Sequence, residues 1–284
     1  MKKQKISSAW MALPLYIFTI VFVICPLLYV VALSFATPNR GYGVTWKFTL
    51  DNYKNILEPV YLNTFVESLK LALTSTAAIV LIGYPFGYFM AKLPEHRKKK
   101  AHLLLTLPFW VNSLIRLYGW IIILQKKGLL NFVLMKLGLI KKPLAILYSY
   151  PAIVVGMIYV LLPFMIMSVY SSAEKLDWSY VEAARDLGAS RVQAFFTVTL
   201  KLTLPGLLSG VILTFVPSMG LFFSADILGG NKIVLVGSLI QDQMTRGSNW
   251  PFAAALAVVM MVLTTVMIMI YRKVSNAREL EGIG

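Results

Sequence analysis

Six long apolar runs alternate with polar connections, and their lengths say what they are. They extend over about residues 10–33, 66–91, 103–124, 152–170, 202–223 and 251–271. About 20 consecutive apolar residues cross a bilayer core, so the pattern predicts an all-α integral membrane protein with six transmembrane helices. No repeat and no low-complexity linker divides the chain, which reads as a single transmembrane domain over 1–284. The first run follows Lys2, Lys3 and Lys5. It exceeds the ~7–15 apolar residues of a signal peptide and predicts a retained first helix, kinked near Pro26. Gly83, Pro85 and Gly87 are expected to break span two, and Pro205, Gly206, Gly210 and Pro217 to interrupt span five; Pro163 lies midway in span four. Between spans one and two, Asp51 is a candidate N-cap for a short amphipathic helix with Tyr53, Ile56 and Leu57 on one face, lying along the outer interface.

The connection from Ser171 to Lys201 is polar and patterned. Asp177 or Ser179 can cap a helix there, and Val181, Ala184 and Leu187 recur at three-residue spacing. Gly188 supplies the left-handed conformation that stops a helix. Ser190 and Gln193 then have capping-box spacing and open a second helix leading into span five. Two short helices at an angle make a compact knob that a groove in another protein can grip. From spacing alone, an ordinary surface loop remains the alternative.

Composition agrees with the membrane reading. Of 284 residues, 58% are hydrophobic and 14% charged, with a mean hydropathy of +0.73; soluble domains carry about 25% charged residues. The net charge of +15 would suggest nucleic acid in a soluble chain. Here Lys and Arg sit at loop ends, where they hold cytoplasmic loops inside. Fifteen of the 27 lie on the side of the two termini, and Arg97-Lys98-Lys99-Lys100 abuts a span end. Both termini are therefore expected in the cytoplasm.

Candidate chemistry adds little. Cys25 is alone and cannot form an internal disulfide. His96 and His102 flank lysines without a Cys partner or second acidic ligand, so no metal site is expected. No Gly-rich loop ending in Gly-Lys-Ser/Thr and no nucleophile elbow is present. The chain does not read as an enzyme. If transport through it is energised, the energy comes from a partner or an ion gradient.

Glu182-Ala183-Ala184, three residues and then Gly188 resemble the EAA loop of type I ABC importer permeases. Phe48-Thr49-Leu50-Asp51-Asn52-Tyr53, the run Pro108 to Arg116, Leu162-Pro163-Phe164-Met165, Tyr170 to Asp177 and Ala225 to Gly230 are similar to the spermidine/putrescine branch. The likeness extends from span one to span six. It implies the type I importer fold, with Glu182, Ala183, Ala184, Leu187 and Gly188 coupling to a cytoplasmic ATPase subunit. It also implies a complex in a bacterial cytoplasmic (inner) membrane: a second permease subunit in a heterodimer, two ATP-binding subunits and an extracytoplasmic polyamine-binding protein. Cofactors would be none in this chain, ATP and Mg being bound by the ATPase partners. Lys201 stands where the family motif has proline.

A polyamine is a flexible polycation, so its path should offer carboxylates and aromatic faces. The candidates are Asp226 beside Phe222 and Phe223, with Trp110 and Tyr118 eight residues apart on one helical face, and Glu67, which Lys70 could neutralise. Arg116 within span three would repel such a cargo. It suits a carboxylate from the partner permease, a positive barrier, or the anionic cargo of a permease for another small solute. Thiamine, a phosphonate or ferric ion are the alternative cargoes. A secondary transporter, the reading from a different class, would show inverted repeats or mid-membrane charges.

Overall fold

The computed structural model describes residues 13–39, 43–230 and 232–281, with side chains as far as Lys273. Lys2, Lys3, Lys5 and Trp10 lie outside them. The described chain is helical almost throughout: α1 (Leu13–Ser34), α2 (Asp51–Ile56), α3 (Pro59–Ala91), α4 (Glu95–Thr106), α5 (Ser113–Leu124), α6 (Leu129–Lys136), α7 (Tyr150–Glu174), α8 (Ser179–Asp186), α9 (Arg191–Gly220), α10 (Phe222–Gly229), α11 (Val236–Thr245) and α12 (Trp250–Glu281). A two-residue antiparallel pair, β1 (Thr37–Pro38) with β2 (Val44–Thr45), is the sole sheet among the described residues. Six segments are long and apolar enough to cross a membrane: Leu13–Ser34, Pro59–Ala91, Ser113–Lys136, Tyr150–Glu174, Arg191–Gly220 and Trp250–Lys273. Closed backbone hydrogen bonding is what makes helices suited to such a solvent.

The chain forms two compact units. In the first, residues 13–62 and 239–265, Leu33, Ala36 and Ala254 make a small core against Val30 and Val44. The Asn52 amide donates to the Ser34 and Ala36 carbonyls at 2.9 Å each, and Ser34 Oγ meets the Tyr53 hydroxyl at 2.7 Å. The α2 cap differs from expectation. Thr49 Oγ1 accepts the Asp51 N–H at 3.1 Å, while Asp51 stands in the first turn. Asn52 and Ile56 face inward and Leu57 faces out. The helix stops at Ile56, so Leu57 no longer follows its face.

The second unit, residues 63–238 and 266–281, holds the main core. Leu71, Ile79, Leu117, Ile153, Met157, Leu161, Met165 and Leu228 are fully buried in it, contributed by α3, α5, α7 and α10. The expected breaks in spans two and five do not occur, because their small residues serve packing between helices. A Cβ on Gly83 would stand 2.7 Å from Met165 Cγ, and one on Gly87 2.7 Å from the Ile166 carbonyl. On α9, a Cβ at Gly206 would press on Ser172 and the Ser168 carbonyl, and Ser168 Oγ donates to the Gly206 carbonyl at 2.8 Å.

Predicted span three is where helix boundaries changed most. Leu103 belongs to α4, a 3₁₀ turn covers Leu107–Trp110, and α5 starts afresh at Ser113. Pro108 has no N–H to continue α4. Asn112 then opens α5 by accepting the Leu114 N–H on Oδ1 at 2.8 Å. The apolar stretch long enough to cross is Ser113–Lys136, through α5 and α6.

Candidate functional site

The knob between α7 and α9 is built from local caps. Asp177 Oδ1 accepts the Ser179 N–H at 3.0 Å and starts α8. That bond holds the Asp177 carboxyl below its usual range. At the other end Gly188 has φ +90°. Its N–H donates to the Arg185 carbonyl at 3.0 Å, and the Ala189 N–H donates to the Ala184 carbonyl at 3.1 Å. This is the paired closure of a Schellman turn. Ser190 and Gln193 then form both halves of a capping box, at 3.2 and 2.9 Å. Val181 and Ala184 are half-buried, whereas Glu182 and Ala183 face outward. Leu187 does not share the inner face. It is the cap residue beyond the last helical turn, and it is 90% exposed.

The base of the knob is held by contacts that spacing could not reveal. Lys92 Nζ lies 4.4 Å from the Tyr88 ring centroid and 4.6 Å from that of Trp178. The Tyr88 ring meets both Trp178 and Phe195 at 5.8 Å. The residues after α3, the residue before α8 and the start of α9 thus share one cationic and aromatic clamp. Nearby, Lys98 Nζ donates to Glu95 at 3.1 Å and to Glu174 at 3.3 Å, joining α4 to the end of α7. The Glu95 bond leads the causes that raise the Lys98 pKa. α9 contains a π-helical turn, Phe195–Thr199, immediately before the place of Lys201. The helix accordingly continues through Lys201 without a proline.

Two cavities open along α7 and α9. One, of about 760 Å³, is lined by Ser171, Lys175, Asp177, Tyr180 and Pro205 among others and lies beside the knob. The other, of about 600 Å³, is lined by Asn112, Ser113, Arg116, Pro217 and Phe223 among others. Arg116 is the one charged residue lining the second. Its guanidinium carbon lies 5.3 Å from the Tyr159 ring centroid and 5.8 Å from that of Phe109, and its buried Nε has no hydrogen-bond partner.

The pathway residues named from sequence are not gathered in one place. Phe223 lines the second cavity. Trp110 and Tyr118 are exposed and do not share a helical face, because Trp110 ends the 3₁₀ turn and Tyr118 belongs to α5. Asp226 Oδ1 accepts the Ser238 hydroxyl at 2.9 Å. Glu67 pairs with Lys70 at 2.7 Å. The cavity walls on α7 were not found from sequence. On α9, Pro217 lines the second cavity, and sequence read it only as an interruption of span five.

Six helices are long and apolar enough to cross a membrane, a knob capped at both ends joins α7 to α9, and two clefts run along those helices. The fold agrees with a solved bacterial alginate ABC transporter in complex with an alginate pentasaccharide-bound periplasmic protein. The TM-score is 0.73 over 97% of this chain and 96% of that one, at 16% identity. Residues 83–279 match the family of binding-protein-dependent transport system inner membrane components, and the chain belongs to that family. It is 43% identical over 257 residues to the spermidine/putrescine transport system permease protein PotB of Salmonella typhimurium, covering 90% of each chain. It is 40% identical over 275 residues to the protein of the same name from Haemophilus influenzae, covering 97% of this chain and 95% of that one.

Proposed function

We propose that this chain is the permease subunit of an ATP-driven importer that takes up the polyamines spermidine and putrescine. The observation that carries this reading is 40–43% identity, over 90–97% of the chain, to permeases named for that transport. Its working complex has a second, related permease, two ATP-binding subunits and an extracytoplasmic polyamine-binding protein, set in the lipid of a bacterial inner membrane. ATP and Mg sit in the ATPase partners. Both termini face the cytoplasm, in keeping with the Arg97 to Lys100 cluster.

Coupling falls to the α8 knob. Glu182 and Ala183 form its outer face, Leu187 caps its tip, and Ala184 is half-buried on the other side. A leucine so exposed at the end of a polar knob suits a groove in an ATPase subunit. Closure of the ATPase dimer then moves α8, and the clamp at Lys92 passes that motion to α3 and α9. Asp226, Phe223, Trp110, Tyr118 and Glu67 stay candidates for meeting cargo. Of these, Phe223 has the most direct support, through its place in the second cavity.

Arg116 favours a second reading, a permease for an anionic small solute, in which the guanidinium is a ligand. The test is uptake of radiolabelled spermidine and putrescine by the reconstituted four-component complex. ATP-dependent accumulation of either one is expected. ATP-dependent uptake of a phosphonate with no polyamine uptake would replace the cargo assignment. Uptake that survives omission of the ATPase subunits would overturn the importer itself.

A further inference from the structure

A third cavity, of about 390 Å³, lies between the end of α3, α4 and α7. Every side chain that lines it is apolar, Phe86, Phe89, Leu93, Ala101, Leu104 and Ile166 among them. Phe86, Phe89 and Leu104 are 62–70% exposed, so the groove is open along its length. Its volume falls within the roughly 300–1,000 Å³ of small-molecule sites. It offers no hydrogen-bonding side chain, only room for hydrocarbon.

Positive charge stands at one end of this groove. Arg97-Lys98-Lys99-Lys100 occupies the first turns of α4. Among the described residues Lys98 is the one member of the four with carboxylate partners, and it engages both Glu95 and Glu174. Arg97, Lys99 and Lys100 are exposed and keep their charge unpaired. Helical phase separates these three. Residues three or four apart share a face, so Arg97, four before Ala101, stands on the face that lines the groove, one turn beyond it. Lys100, four before Leu104, flanks that face. Lys99 is two residues before Ala101 and falls on the opposite side of the helix.

We propose that this groove is a site for an anionic phospholipid, with an acyl chain along Phe86, Phe89 and Leu104 and the phosphate on Arg97 and Lys100. Hydrocarbon with unpaired cations at one end complements an amphiphile that carries a single anionic head. The guanidinium fork matches phosphate oxygens, and basic pockets beside membrane helices hold anionic head groups. The proposal rests on the membrane reading of the chain and not on the cargo. The bound lipid would reach the knob through one ring, since Phe89 meets Tyr88 of the clamp with centroids 5.7 Å apart.

The test is photocrosslinking in the whole complex, held in phosphatidylcholine nanodiscs. Trace phosphatidylglycerol or phosphatidylcholine with a diazirine in one acyl chain is added, and the adducts are mapped by peptide mass spectrometry. Adducts within residues 86–105 should be about fivefold or more abundant from phosphatidylglycerol. Arg97→Gln should lower them by about fivefold, the effect of one cation near an anionic lipid, while Lys99→Gln should leave them unchanged. Three outcomes overturn the site. The two lipids label this segment equally; or Arg97→Gln and Lys99→Gln lower the signal alike, which is general surface attraction; or the segment takes no adduct, because another subunit covers the groove. Should Arg97→Gln fail to assemble, competition on the unsubstituted complex decides. Excess unlabelled phosphatidylglycerol should remove the adduct and excess phosphatidylcholine should not; removal by both overturns the site. Neither ATP nor polyamine enters the assay, so its result is separate from that of the uptake test.

Discussion

Gly188 has φ +90°, and no atom lies within 4 Å of where a Cβ would stand. The space tolerates a side chain; the backbone does not. Holding an L-residue left-handed costs about 1–2 kcal/mol. Gly188→Val should therefore insert and assemble normally but lower uptake per ATP hydrolysed by about tenfold, the equivalent of ~1.4 kcal/mol. Gly188→Asn, whose side chain tolerates this region, should keep more of it than valine does. Glu182→Lys, exposed on the outer face of α8, should uncouple without affecting insertion. Comparing transport with ATPase rate in proteoliposomes checks all three, and equal coupling in the valine and asparagine variants would remove the backbone argument. Residues of this kind were readable in the sequence, because a cap involves partners only a few positions apart. Asp177, Gly188, Ser190 and Gln193 all follow that rule. Leu187 did not, since three-residue spacing holds only while the helix lasts, and α8 stops one residue earlier.

At the scale of elements, glycines and prolines were the misleading signal. Read singly they mark breaks, yet α3 is unbroken and α9 stays helical throughout. A membrane helix keeps its own backbone bonds because lipid supplies none, and small residues let neighbouring helices come close. Pro108 did break span three, because the chain there turns into the 3₁₀ segment and restarts at Asn112. That break also separates Trp110 from Tyr118. The clamp at Lys92 was not readable at all, as Tyr88 on α3 and Trp178, just before α8, are far apart in sequence and meet only in the fold. Its contacts give a prediction. Lys92→Ala should leave the complex assembled and its ATPase active but reduce cargo moved per ATP, because α8 loses its tie to α3. Lys92→Arg, which keeps the cation between the two rings, should restore the ratio. A loss of ATPase and transport in equal proportion would instead make Lys92 a packing residue only.

Across the whole molecule, run length alone identified six membrane-crossing helices, since bilayer thickness leaves little choice. The cavities along α7 and α9 needed the two helices side by side, and no spacing rule connects the residues that line them. The π-helical turn at Phe195–Thr199 was equally invisible, and it has its own consequence. One additional residue in a helical turn advances the phase by about 100°. The stretch Arg191–Ala194 and the span beyond Leu200 therefore keep different angular settings, and a helical wheel drawn straight through them misassigns every face on one side. In crystal terms the turn is a dislocation, and it can be annealed. Deleting Thr197, an exposed residue of that turn, would convert it to plain α-helix and twist the knob about the span axis by roughly a quarter revolution. Every residue proposed to meet the ATPase would still be present, but aimed elsewhere. Such a variant should hydrolyse ATP at most at the basal rate of its partners and import nothing, which would separate the direction of the knob from its chemistry.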